Sequence, residues 1–150
     1  MKCFKKFLFI AIILFTIGFI WSNSLKPADD SMNQSNFVKQ LIISIFSFFK
    51  IDIEDTFFID FIRKFAHFFE YFVLGFELVI FKNIYYKTSI KATYIFAFIG
   101  VFVAIVDEAI QLIPYLNRSC EVFDVCIDSL GVITAFLVVN VGLKLCNNKK

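Results

Sequence analysis

The chain has 150 residues, 59% of them hydrophobic and 23 of them phenylalanine, with a mean hydropathy of +0.78 and a net charge of +2. That apolar content exceeds what a soluble domain of this length needs for its core, so residues 1–150 read as a single all-α integral membrane domain. The small charge, with basic residues dispersed near the ends of apolar runs, excludes a nucleic-acid partner, and the lack of period-two alternation excludes a membrane barrel.

The first apolar run, about 7–21, follows Lys2, Lys5 and Lys6. A signal peptide has the same layout, with Ser22 and Ser24 as small residues near a cleavage point. The aromatic content, and Trp21 as an interfacial residue, favour a retained anchor. Residues 22–60 form an outer loop. Its first part, SNSLKPADDSMNQSN, is polar and holds Pro27. Its second part, Phe37 to Ile53, places Phe37, Leu41, Ile45 and Phe48 on one helical face, while Lys39, Gln40, Ser44, Ser47 and Lys50 interrupt the rest. That pattern predicts an amphipathic helix lying on the membrane surface.

The second span runs over about 61–81, long enough for ~20 residues at ~1.5 Å each to cross a hydrocarbon core of ~30 Å. Lys82, Lys87 and Lys91 mark a short connection, the third span covers about 92–113 and stops at Pro114, and the fourth covers about 122–145. The prediction is thus a bundle of about four transmembrane helices plus one interfacial amphipathic helix. The lysines place both termini and the 82–91 connection on the cytoplasmic side of a multi-pass protein of the cell membrane. Arg63 and Lys64 lie at an outer boundary against that rule, and a local partner explains them better than topology does. Cys3, Cys120, Cys126 and Cys146 form no CxxC pair and read as unpaired thiols packed as small apolar residues.

Polar clusters interrupt the last three spans, all near the predicted outer side. Arg63, His67, Glu70 and Leu74 follow an i, i+4, i+7, i+11 pattern on one helix face, with Tyr71 one turn beyond His67. On the third span Asp107 and Gln111 are four apart, and Glu108 and Gln111 three apart. On the fourth, Glu121, Asp124, Asp128 and Gly131 line a stripe, and Gly131 allows a neighbouring helix to approach closely. A single carboxylate at a span end is usually just solvated, and a lone histidine is usually packed with one hydrogen bond. Three clusters at one level instead predict one shared site, because ionisable groups in hydrocarbon are expensive and tend to be functional. Arg63, Lys64 and Arg118 are three cations against six carboxylates, those of Glu70, Asp107, Glu108, Glu121, Asp124 and Asp128. The difference of −3 calls for water, proton uptake, or a bound cation or cationic ligand. Glu77 shares the His67 face at greater depth and is expected to snorkel toward Lys82.

His67 and Glu70 form an HxxE pair to which aspartates could add a hard-cation site. With one histidine in the chain a zinc hydrolase centre is not expected, and neither a metal nor a cofactor is assigned. Ser24, Ser31 and Ser35 lie in the outer loop with no base that the sequence pairs with them.

Three stretches carry a resemblance to the VanZ-like family of small bacterial membrane proteins, named for a teicoplanin-resistance protein. SNSLKPADDSMNQS (22–35) is similar to the family's Ser- and Pro-containing loop after the first span. IRKFAHFFEYFVLG (62–75) closely resembles its second-span motif, and DEAIQLIPYLNRSCEVFDVCIDSLG (107–131) its acidic-Gln, Arg, Asp and Gly pattern. The motif positions present are Arg63, Lys64, His67, Glu70, Tyr71, Asp107, Glu108, Gln111, Arg118, Asp124, Asp128 and Gly131. Ile110 stands where many members carry a histidine, which removes a proton shuttle or ligand. Asn117 replaces a glycine common before the arginine, which alters the turn that aims Arg118.

The resemblance implies a cell-envelope protein and, for the member that names the family, reduced sensitivity to a lipid-bearing glycopeptide. Two readings follow. In the first, a non-enzymatic protein binds a lipid-linked or lipophilic ligand at the outer leaflet through Arg63, Lys64, His67, Glu70, Tyr71, Asp107, Glu108, Gln111, Arg118, Asp124 and Asp128. Its partners are membrane lipids and a lipid-linked wall precursor or lipoglycopeptide. The basic groups suit phosphate or carboxylate and the phenylalanines suit acyl chains. In the second, an intramembrane enzyme modifies an envelope lipid or cell-wall precursor, with His67 as base and Glu70 or Asp107 as its partner.

Overall fold

The computed structural model describes residues 2–26, 55–86, 89–113 and 121–147, and within these not the side chains of residues 2, 55–60 and 147. Four helices make up the described residues: α1 (Lys2–Ser24), α2 (Asp55–Tyr86), α3 (Ile90–Gln111) and α4 (Val122–Asn147). No strand occurs among the described residues. The expected interfacial helix at 37–53 lies outside them, as do Cys120 and Arg118.

Three helices, α1, α3 and α4, contain segments long and apolar enough to cross a membrane. Their surfaces fit that role. Phe7, Phe15, Phe98, Phe102, Leu137 and Val138 are all more than half exposed, an arrangement that water penalises and lipid does not. The second helix is more polar and longer. Its 32 residues reach about 48 Å at ~1.5 Å per residue, well beyond the expected 61–81. It starts at Asp55, so the outer loop expected over 22–60 is shorter at both ends: α1 also continues through Ser22 and Asn23 to Ser24, which is fully buried. At the far end α3 stops at Gln111, with Leu112 as its C-cap, before Pro114 is reached. The start of α3 is fixed by Ser89, whose side chain accepts a hydrogen bond from the Ala92 amide at 3.2 Å.

Pairings along the chain establish an up-and-down bundle. Phe9 meets Phe81 (5.6 Å between ring centroids), Thr16 meets Glu77 and Asn23 meets Glu70, so α1 and α2 are antiparallel. Tyr71 meets Val103, and Phe81 meets Phe96, so α2 and α3 are antiparallel too. Lys64 meets Asp124 while Gly75 meets Val132, so α2 and α4 run parallel. The core between them consists of Tyr71, Leu74, Leu78, Val79, Val103, Ala104, Val132 and Phe136, with Ile13 and Ile20 from α1. Trp21, expected as an interfacial anchor, is half-buried against this core.

The closest packing is between α2 and α4, and two glycines permit it. A Cβ at Gly131 would collide with the Phe68 carbonyl oxygen and lie 3.2 Å from the Tyr71 Cβ; one at Gly75 would lie 2.8 Å from the Val132 Cα. The close approach expected at Gly131 is therefore present, and it is reciprocal. Each glycine faces backbone of the partner helix, so the two backbones come into direct contact there. Beside this crossing α2 carries a ladder of rings, Phe61, Phe65, Phe68, Phe72 and Phe76, with successive centroids 6.1–6.4 Å apart. Phe61, Phe65 and Phe76 of this ladder are exposed.

The cysteines depart from the expectation of packed thiols. Cys3, Cys126 and Cys146 are all free and exposed. They sit on outward helix faces, where a bilayer provides the apolar surroundings that the protein core was expected to provide.

A polar cluster at one end of the bundle

The up-and-down arrangement brings the C-terminal ends of α1 and α3 to the same end of the bundle as the N-terminal halves of α2 and α4. The polar groups singled out on the last three spans, so far as they are described, lie there, except Glu77, which sits deeper in the bundle.

Lys64 of α2 reaches across to α4. Its Nζ is 3.5 Å from Asp124 Oδ1 and 3.7 Å from Glu121 Oε2, and it sits 4.7 Å from the centre of the Phe123 ring. For Lys64 this is a local partner of the kind expected. Arg63, one residue earlier, is half-buried. One turn deeper, His67 comes together with Asp107 of α3 and Asp128 of α4. One ligating atom from each lies within 4.8 Å of the others. Asp107 and Asp128 are 0% and 1% exposed, and both carboxylate oxygens of Asp128 are buried with no hydrogen-bond partner among the described residues. Lys64, His67, Asp124 and Asp128 line a small recess between α2 and α4.

Glu108 and Gln111 are also buried and tie α3 to α4. Gln111 Nε2 donates to Glu108 Oε1 at 3.1 Å, and the Glu121 amide donates to Glu108 Oε2 at 3.3 Å. Glu108 thus satisfies a backbone group just ahead of α4. Of the two spacings seen for Gln111, the i, i+3 pair is the one hydrogen-bonded.

Two expected members of the site are turned elsewhere. Glu70 faces α1: Asn23 Nδ2 donates to Glu70 Oε1 at 2.9 Å, and Lys26 Nζ in turn donates to Asn23 Oδ1 at 2.9 Å. Tyr71 is fully buried, with its hydroxyl 3.5 Å from the Val103 carbonyl, which it faces as a donor. It acts as a core residue tying α2 to α3 rather than as a surface for a ligand. Glu77 does not reach toward Lys82. Its Oε1 accepts from Thr16 Oγ1 at 2.9 Å, and Lys82 Nζ donates to Asn83 Oδ1 at 3.1 Å. Thr16, Asn23 and Lys26 were not among the expected site residues. Asn23 and Lys26 fell within the supposed loop, and Thr16 within a run that otherwise reads as uniformly apolar.

Beside the polar cluster, an open groove of about 530 Å³ runs between α2 and α4. Phe61, Phe65, Phe68, Phe123, Ile127 and Leu130 line it, and Lys64 stands at its edge. A smaller hollow of about 220 Å³ between α1 and α2 is lined by Phe15, Phe19, Phe69 and Val73, with Glu70 and Thr16 as its polar members.

No curated protein and no solved structure gives a significant match to the chain. Among protein families, the profile described as VanZ/LLP1 matches residues 7–143.

Proposed function

The chain belongs to the VanZ/LLP1 family, and from that premise we propose that it is a cell-envelope membrane protein whose α2–α4 groove takes the acyl part of a lipid-linked or lipophilic ligand. Lys64, with Arg63, meets the anionic head. The observation that carries this reading is the juxtaposition of an aromatic groove with an ammonium group at its edge. Its volume is within the ~300–1,000 Å³ usual for ligand sites, where apolar walls supply most of the affinity and a few polar groups set orientation. Asp124 and Glu121 hold Lys64 at that edge. Of the two partners expected for a His67 base, Glu70 is hydrogen-bonded to Asn23 of α1 while Asp107 lies beside His67; the binding reading is preferred because the groove and its edge cation support it directly.

The test is photo-cross-linking of the full chain, in bilayers, to an anionic phospholipid with a photoactivatable acyl chain. Labelled peptides are expected to come from 61–68 and 123–130. Leu130→Trp, which fills the groove, should reduce labelling several-fold without changing the amount of folded protein. Uniform labelling around all four helices would remove the groove as a site. For the lipoglycopeptide form of the ligand, expression of the chain should lower susceptibility to teicoplanin, and Leu130→Trp should reverse that effect. Unchanged susceptibility on expression would leave only the lipid-binding part of the proposal.

Orientation is part of the same proposal. The lysines at the other end of the bundle, Lys5, Lys6, Lys82, Lys91 and Lys144, support a cytoplasmic location for that end, with the polar cluster at the outer leaflet. Reporter fusions after Lys87 and after Lys150 should both behave as cytoplasmic. A mature N-terminus near Leu25 would instead identify the first run as a cleaved signal.

A further inference from the structure

We propose that His67, Asp107 and Asp128 form a binding site for one divalent transition-metal ion. The inference is independent of whether the groove takes a lipid.

Three observations carry it. First, the donors come from three different helices and converge: an imidazole nitrogen and two carboxylate oxygens lie within 4.8 Å of one another. Ligands bound ~2.1 Å from a common ion stand ~3–3.5 Å apart in tetrahedral or octahedral arrangements, so small side-chain rotations close the set. Second, Asp128 is 1% exposed and both its oxygens lack a hydrogen-bond partner among the described residues. A carboxylate so placed needs a counter-charge or donors, and it is directed at His67 and Asp107. Third, the ammonium group of Lys64, which shares the recess with Asp128, is engaged by Asp124 and Glu121. A divalent ion would give the Asp128 carboxylate its counter-charge, with the imidazole as a neutral ligand.

The donor chemistry narrows the ion. One imidazole and two carboxylates suit zinc or manganese; calcium and magnesium prefer oxygen-only sets, and thiolate-seeking ions find no cysteine here. Three protein ligands leave further coordination positions to water or other small ligands. The i, i+3 pairing of His67 with Glu70 plays no part in this site.

His67 is the only histidine of the chain, which allows a test without any substitution. The full chain, purified in detergent without a polyhistidine tag and stripped with a chelator, is treated with diethyl pyrocarbonate in the presence and absence of Zn2+. The ion is expected to slow carbethoxylation of His67 at least tenfold. Titration with Mn2+, followed by loss of the free-ion paramagnetic resonance signal, should reach one ion per chain, and Zn2+ should displace it while Ca2+ does not. Asp128→Asn should weaken Mn2+ binding at least tenfold, whereas Glu70→Gln should leave it unchanged. An unprotected His67, or no stoichiometric Mn2+ binding by the stripped chain, would overturn the site and leave a histidine–aspartate ion-pair cluster. So would a folded Asp128→Asn variant that binds Mn2+ as the parent chain does.

Discussion

Gly131→Leu is expected to prevent the bundle from assembling, with little or no folded protein recovered from membranes. The reason is local and geometric. At Gly131 even a Cβ would collide with the Phe68 carbonyl oxygen and crowd the Phe72 amide and the Tyr71 side chain. Two of those three neighbours are backbone, so relief requires α4 to move away from α2. That separation would open the contacts of Val132, Ala135 and Phe136 with α2, and would pull Asp128 from His67 and Asp124 from Lys64. Overpacking in a well-packed interior costs about 1–3 kcal/mol when side chains can yield; a clash with backbone is expected to exceed that range. At roughly 3 °C per kcal/mol for a chain of this size, a variant that does fold should melt about 10 °C or more below the parent. Gly142 and Gly18 provide the control, because a Cβ at either meets nothing within 4 Å. Gly142→Leu should therefore be tolerated, and slightly favoured by helix propensity. Equal tolerance at 131 and 142, measured by thermal melting in detergent, would show that α2 and α4 do not cross as described.

Much of this arrangement could be read from spacing, and what could not has a common cause. The stripe of Glu121, Asp124, Asp128 and Gly131 is visible because helical periodicity alone determines it, and alternating spans bring its end of α4 beside Lys64 and Asp107. Periodicity says nothing about which neighbouring helix a face meets. His67, Glu70 and Leu74 share one side of α2, yet His67 points between α3 and α4, Glu70 meets α1, and Leu74 is core. A face about one-third of the circumference wide can touch three neighbours in a bundle. For the same reason Asn23 and Thr16 were passed over: each is a single polar residue at the end or in the middle of an apolar run, and its significance lies in a partner, Glu70 or Glu77, forty to sixty positions away. Cys126 lies off the stripe of Asp124 and Asp128, and because that polar stripe faces the bundle, the apolar face that carries Cys126 is the exposed one.

Removal of the Lys64 charge is the second large expected effect, and it separates stability from binding. In Lys64→Met the apolar stem remains against Phe123, but Asp124 and Glu121 lose their cation while Asp128, Asp107 and Glu108 stay close by. The Lys64 side chain is about one-quarter exposed and that of Asp124 about one-fifth. The cost should therefore fall below the ~3–5 kcal/mol of a fully buried broken pair and above the ~1 kcal/mol of a surface pair. About 2 kcal/mol is expected, which is roughly 4–8 °C in melting temperature. Adding Asp124→Asn should recover most of that loss, because the remaining partner, Glu121, is nearly half exposed and water can solvate it. Capture of the anionic lipid probe should behave differently. If Lys64 meets the head group, labelling by the probe falls in Lys64→Met and stays low in the stable double variant. Recovery of labelling together with stability would mean that Lys64 only holds α2 against α4, and the anionic contact at the groove edge would have to be sought elsewhere.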